Sequence, residues 1–377
     1  MSEPIYLDYN ATTPIDPRVV EAMLPWLRAG FGNPSSDHVY GHNAKAAVHH
    51  AREQVAALIG AQPDEIVFTG CATEANNLAI LGVARALRGG SRHRLLYSAV
   101  EHPAVAQPMR HLDGAGWRAE TIVVDATGRV DAAQVAMDAD VALVSVMLAN
   151  NEVGTLQPVA EIAACAHAAG ALMHVDAAQA VGKIPVDINN LGCDLLTLAG
   201  HKFYAPKGVG ALYVRAGTPL QSIQFGAGHE GGLRPGTENV PHIVALGEAA
   251  RLAREALEVE GAHIRNLRDD LQRRLADAIP GLLLNGHASE RLPNTLNLSF
   301  PGIAGWQLLA AAPDLAASTG SACHAGQHAA SGVLGAMGYS GERAAGAVRL
   351  SLGRFTTLSE IERAAAALIT AWRQLAA

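Results

Sequence analysis

The sequence predicts an α/β protein: a large domain on a mostly parallel mixed sheet with helices on both faces, followed by a smaller α+β domain. Three observations predict it. Short apolar runs alternate with helix-period segments through the first 215 residues. The character then changes, and a glycine-rich stretch over 225–240 leads into one long helical pattern. Finally, an acid and a lysine, Asp176 and Lys202, each follow an apolar run, and open α/β sheets bind ligands at such strand ends.

Taken in order, the strand candidates of the first part are 66–69 (IVFT), 94–99 (RLLYSA), 141–147 (VALVSVM), 171–176 (ALMHVD), 194–199 (DLLTLA) and 209–214 (VGALYV). Their short, apolar character suits strands buried on both faces. Helical patterns at 37–59, 73–89, 103–115 and 158–169 lie between most of them, the last opening on Pro158, which a first helical turn tolerates. Beyond 216 a long helix is predicted over 241–279, strands over 295–300 (TLNLSF) and 349–354 (RLSLGR), and an alanine-rich terminal helix over 359–375. Between the last two strands lies a loop of small and polar residues around Cys323.

Composition narrows the function. Of 377 residues, 49% are hydrophobic and 17% charged, the balance of a compact enzyme with room for two cores. The net charge is −7 and no Lys/Arg block occurs, which argues against nucleic acid as a partner. No apolar run reaches the roughly 18 residues of a membrane span. The start, MSEPIYLDYN, lacks the basic and apolar regions of an export signal, so a cytoplasmic protein is expected. Four cysteines (Cys71, Cys165, Cys193, Cys323) show no metal-ligand spacing, so no metal site is expected.

The segment 174–210 carries the chemistry. A carboxylate and a lysine at consecutive strand ends suit pyridoxal phosphate (PLP): Lys202 forms a Schiff base with the aldehyde, and Asp176 keeps the pyridinium nitrogen protonated so that the ring stores electrons. Gln179 is spaced to bond the ring oxygen, and His201 to donate to the phosphate. In GCATEANN (70–77), Ala72 and Thr73 open a helix, as a simple cap or as a cradle for the phosphate. His102 follows a strand end, where a histidine stacks on a ring and relays protons, although with 16 histidines its spacing alone is weak evidence. Asn151 lies in a run that is a turn on its own and a contact to cofactor or substrate in this company. Cys323, beside His324 in its small-residue loop, is a candidate nucleophile, whereas Cys165 and Cys193 read as core filler. Arg349 is a candidate grip for a substrate carboxylate.

Together these segments resemble the cysteine desulfurases of the class V aminotransferase group. The matching runs include YLDYNATTPIDPRV (6–19), GNPSS (32–36), FTGCATEANNLAI (68–80), EHPAV (101–105), NNEVG (150–154), HVDAAQAVGK (174–183), GHKFYAPKGVGALYVR (201–215), RPGTENV (234–240), TGSAC (319–323) and RLSLGRFTT (349–357). The resemblance implies a fold-type I PLP-dependent transferase. Its large PLP-binding domain would cover 15–255, and its small domain 1–14 and 256–377, with the catalytic cysteine loop at about 318–335. It implies conversion of L-cysteine to alanine, with Cys323 taking the sulfur as a persulfide. It further implies a homodimer in which Thr237 reaches the partner's phosphate, and a sulfur-acceptor protein. Iron–sulfur assembly, thiolation of RNA or cofactors, and selenium recycling all stay open as destinations.

Departures from the family pattern point to a rival substrate. Ala199 stands where desulfurases carry a serine before GHK, which removes one hydroxyl from the phosphate site at a cost of about 1 kcal/mol. Cys323-His324 and the FGAGHE…RPGTEN stretch look closer to animal-type selenocysteine lyases, whereas EHPAV looks desulfurase-like. L-selenocysteine is therefore the alternative substrate, and a silent PLP-binding protein the alternative outside catalysis. The chain stops at Ala377, without the longer tail through which housekeeping desulfurases engage a scaffold, so delivery to a scaffold is not expected.

Overall fold

The structure is a computed structural model and describes residues 4–319, 331–339 and 341–376. The chain opens with β1 (Ile5–Tyr6), α1 (Pro17–Arg28) and α2 (Val39–Ile59). Strands and helices then alternate: β2 (Ile66–Thr69), α3 (Ala72–Ala86), β3 (Arg94–Ser98), α4 (Pro103–Leu112), β4 (Arg118–Ile122), β5 (Val141–Ser145), α5 (Val159–Ala168), β6 (Leu172–Asp176), α6 (Ile188–Leu191), β7 (Leu195–Ala199) and β8 (Gly210–Val214). The long α7 (Val240–Ala278) is followed by β9 (Leu283–Asn285), β10 (Thr295–Ser299), α8 (Gly305–Ala311), β11 (Leu315–Ala316), α9 (Gly332–Ala336), α10 (Gly341–Ala345), β12 (Ala347–Ser351) and α11 (Leu358–Ala376).

Seven strands form one sheet in the order β2-β8-β7-β6-β5-β3-β4. All neighbours are parallel except β8, which runs antiparallel to both β2 and β7. The exception has a simple cause: only residues 200–209 join β7 to β8, and no crossover helix carries the chain back to a parallel start. The other six strands point one way, so their C-terminal ends line a single edge. A second sheet, β12-β10-β9, is antiparallel, and β1 pairs with β11.

Every residue of β2, β3, β5 and β7 is buried, because helices cover both faces of the large sheet. One face packs against α2, α5 and the start of α7, the other against α3 and α4. A separate core unites Ile5 and Leu7 with β10, β12, α11 and the end of α7. Helix α7, about 58 Å long at 1.5 Å per residue, thus contributes Val240 to Ala253 to one core and Ile264 to Leu275 to the other. No helix among the described residues is long and apolar enough to cross a membrane.

The strands and helices expected from the sequence all form, with shifted ends. Helices α3 and α4 stop three residues early, ahead of Gly89 and Gly114, whose positive φ angles of 82° and 75° leave the helical path. Strand β12 begins at Ala347 because Ala347 and Val348 pair with Ser299 and Leu298. Two larger elements were not expected. Helix α1 is set by its Asp16 cap and Pro17 at its first position, but buries only Val19 completely. Strand β4 is a polar edge strand, RAETI, with a single buried residue.

Candidate active site

The strand ends of the large sheet converge on a cavity of about 600 Å³. After β2, Cys71 caps α3, so that Cys71, Ala72 and Thr73 bring a helix N-terminus to the cavity wall. This close turn needs Gly210 on β8: a Cβ there would lie 2.8 Å from the Leu198 carbonyl oxygen and 2.9 Å from the Cys71 carbonyl carbon. His102 follows β3 and caps α4. Asn151 follows β5, Asp176 ends β6 with Gln179 three residues on, and His201 and Lys202 follow β7. Asp8 and Asn10 enter from the N-terminus, and Arg349 from β12 of the small sheet.

Asp176 is buried and accepts from Asn76 Nδ2 at 2.7 Å and from the Ala178 amide at 2.9 Å. Lys202 Nζ donates to the carbonyls of Asn10 (2.6 Å) and Ala11 (2.8 Å). Burial, reinforced by Arg349, lowers the Lys202 pKa to about 8, against upward pulls from Asp176 and Asp8. His201 Nδ1 meets Thr12 Oγ1 at 3.1 Å, and burial beside Lys202 and Lys207 lowers its pKa to about 4, so it is a neutral imidazole. Burial likewise lowers the His102 pKa. Its Nδ1 accepts the Ala104 amide at 3.1 Å, which puts the proton of the neutral ring on Nε2. His102 is therefore set up as an N–H donor at Nε2; a second proton would have to go on Nδ1, producing an imidazolium and breaking the helix cap.

Arg349 is buried, donating from Nη1 to the Asn151 carbonyl (2.9 Å) and from Nη2 to Asp8 (2.8 Å), while Nε has no partner among the described residues. Glu101, beside His102, accepts from Ser98 and from the Met147 amide, and burial raises its pKa to about 8.

The structure thus brings Ala72, Thr73, His102, Asn151, Asp176, Gln179, His201, Lys202 and Arg349 to one cavity. Thr237 is exposed and does not line the cavity of its own chain. Cys323 and His324 lie outside the described residues. Of the two cysteines read as filler, Cys193 is fully buried, which pushes its thiol up to about 12, whereas Cys165 is only partly buried. Sequence reasoning missed Asp8, Asn10, Asn76 and the exposed thiol of Cys71 as cavity-lining groups. Asn76 had a signal in the sequence, four residues into the same helix as Ala72.

These residues fit PLP. The buried Asp176 carboxylate forms no salt bridge among the described residues and meets only amide donors, so a protonated ring nitrogen would supply its counter-charge. The α3 N-terminus, open because residue 210 is glycine, fits the phosphate.

Comparison with known proteins agrees with this geometry. The class-V aminotransferase family matches residues 5–364. A cysteine desulfurase of Rattus norvegicus is 43% identical over 364 residues, covering 95% of this chain and 80% of its own. The cysteine desulfurase IscS of Methylococcus capsulatus is 45% identical over 367 residues, covering 96% and 91%. Among solved structures, a NifS-like protein aligns with a TM-score of 0.91 at 36% identity over 99% of both chains. SspA in complex with cysteine aligns with a TM-score of 0.82 at 34% identity, over 93% of this chain and 99% of its own.

Proposed function

The chain belongs to the class-V aminotransferase family, and on that premise we propose that it is a PLP-dependent cysteine desulfurase. It converts L-cysteine to L-alanine and passes the sulfur to Cys323 as a persulfide. One observation carries the reading: Lys202, Asp176, Gln179 and His102 converge from the ends of three strands on one cavity, and Arg349 enters it from the other sheet. The relatives named cysteine desulfurases span nearly the whole chain and support cysteine as the substrate.

Bound PLP supplies an electron sink for bond breaking at the substrate carbons. Lys202 would anchor it covalently, Asp176 would hold its ring nitrogen, Gln179 its ring oxygen, and Thr73 and His201 its phosphate. With a pKa of about 8 instead of the ordinary 10.5, Lys202 Nζ is available as a free base near neutral pH and accepts the substrate α-proton. Arg349 grips the substrate carboxylate, with Asp8 and the Asn151 carbonyl holding its guanidinium in place. His102 offers its Nε2 proton to the cavity. The Cys323 thiolate attacks the substrate sulfur, forming the S–S bond of the persulfide as the Cβ–S bond breaks; the electron pair of that bond stays with the substrate, whose carbon takes a proton to give alanine.

We further propose a cytoplasmic homodimer in which Thr237 completes the partner's phosphate site, and a sulfur-acceptor protein that discharges Cys323. The exposure of Thr237 supports the first of these. The two separate cores support a large domain over 15–255 and a small one from 1–14 and 256–377. Parallel turnover of L-cysteine and L-selenocysteine, with alanine and chalcogenide measured for wild type and Cys323→Ala, tests the function. Cysteine turnover that disappears with Cys323 is expected. Selenocysteine turnover with negligible cysteine activity would replace desulfurase by selenocysteine lyase.

A further inference from the structure

Lys183 closes the HVDAAQAVGK run, yet it does not line the large cavity; it stands behind Gln179, which does. Its Nζ donates to Gln179 Oε1 at 2.6 Å and to Asn10 Oδ1 at 3.1 Å. An amide side chain can face either way, and the network around it decides which. Turning the Gln179 amide over would set its NH₂ against the Lys183 amine, and its oxygen against the Asn10 carbonyl that Nε2 now meets at 2.9 Å. Both new contacts are repulsive. Asn10 is locked in the same manner: Oδ1 also receives Asn294 Nδ2 at 3.0 Å, while Nδ2 donates to Thr295 Oγ1 at 2.8 Å and to the Asn151 carbonyl at 3.2 Å. Gln179 Nε2 therefore keeps one N–H for Asn10 and has a second to offer.

We infer that Lys183 is a positioning residue that makes Gln179 present an N–H donor, and not a carbonyl acceptor, to an oxygen of the ligand bound in the cavity. On the function proposed above, on which this rests, that oxygen is the ring oxygen of PLP. Burial, with Lys202 and Arg349 nearby, holds the Lys183 amine well below the ordinary lysine pKa.

The test is a double-mutant cycle read as PLP affinity, by equilibrium dialysis of the full-length holoprotein. Lys183→Met is expected to weaken retention about tenfold, the loss of one well-made hydrogen bond. Gln179→Leu should weaken it at least as much, and the double variant no further than Gln179→Leu alone, because Lys183 acts only through that amide. Additive losses would identify a general structural role and overturn the inference. Loss in Gln179→Leu without loss in Lys183→Met overturns the inference alone; unchanged affinity in Gln179→Leu overturns the ring-oxygen reading as well. If Lys183→Met does not fold, the same cycle with Lys183→Leu, which likewise lacks a donor, gives the same discrimination.

Discussion

The large sheet presents its site residues at the ends of β3, β6 and β7, each within a few residues of the strand that places it, whereas the small sheet contributes Arg349 from the middle of β12. Partners differ in the same way. Asp176 accepts the Ala178 amide, His102 the Ala104 amide, and Gln179 the Lys183 amine, all from the same stretch of chain. Arg349 is held by Asn151 and Asp8, which are 198 and 341 residues away in sequence. The cofactor side thus combines local partners with distant ones such as Asn76 and Asn10, whereas the Arg349 guanidinium is held by distant partners alone. Cofactor binding and substrate binding should accordingly respond to different mutations.

The largest expected effect is on the cofactor side. Lys202→Ala should lower alanine formation from cysteine by about three orders of magnitude or more, since it removes both the proposed covalent anchor and the proposed base. Arg349→Ala should raise KM for cysteine about a hundredfold, the scale of losing a buried charge-assisted contact, while PLP affinity measured by dialysis stays unchanged. A drop in PLP affinity in that variant would break the division between the two sides.

The pH profile should sharpen it. On the proposed mechanism only deprotonated Lys202 serves as base, so the acid limb of kcat/KM should rise with pH and level off near 8, changing about tenfold per pH unit well below the midpoint. Asp8 pulls the Lys202 pKa upward, so Asp8→Asn should move that limb to lower pH.

The smallest effect concerns stability. Burial raises the Glu101 pKa from 4.5 to about 8, so its contribution is fully present below pH 4.5 and fades as pH rises towards 8, where the folded protein must release a tightly held proton. Glu101→Gln should flatten that decline, with a gain at pH 9 that exceeds the gain at pH 6 by roughly 2 kcal/mol. Thermal unfolding at the two pH values measures it.

How legible the molecule was in its sequence follows the same line. Buried strands such as IVFT and VALVS announced themselves because both faces are covered, and Asp176, Gln179, His201 and Lys202 could be placed because each follows such a run directly. β4 escaped because an edge strand carries little apolar signal, and α1 because its face buries so little. Asp8 and Asn10 escaped for another reason. Their roles come from contacts with Arg349, Lys202 and Lys183 far along the chain, which no local pattern encodes. Arg349 itself was found by residue chemistry and resemblance, while its pairing with Asp8 came only from the fold.

On the proposed function Lys202, and not Lys183, carries the cofactor. Reducing the holoprotein with borohydride and mapping the modified peptide by mass spectrometry tests this directly. The pyridoxyl group is expected on Lys202 alone. Modification of Lys183 or Lys207, or a protein that retains no reducible cofactor, would contradict it.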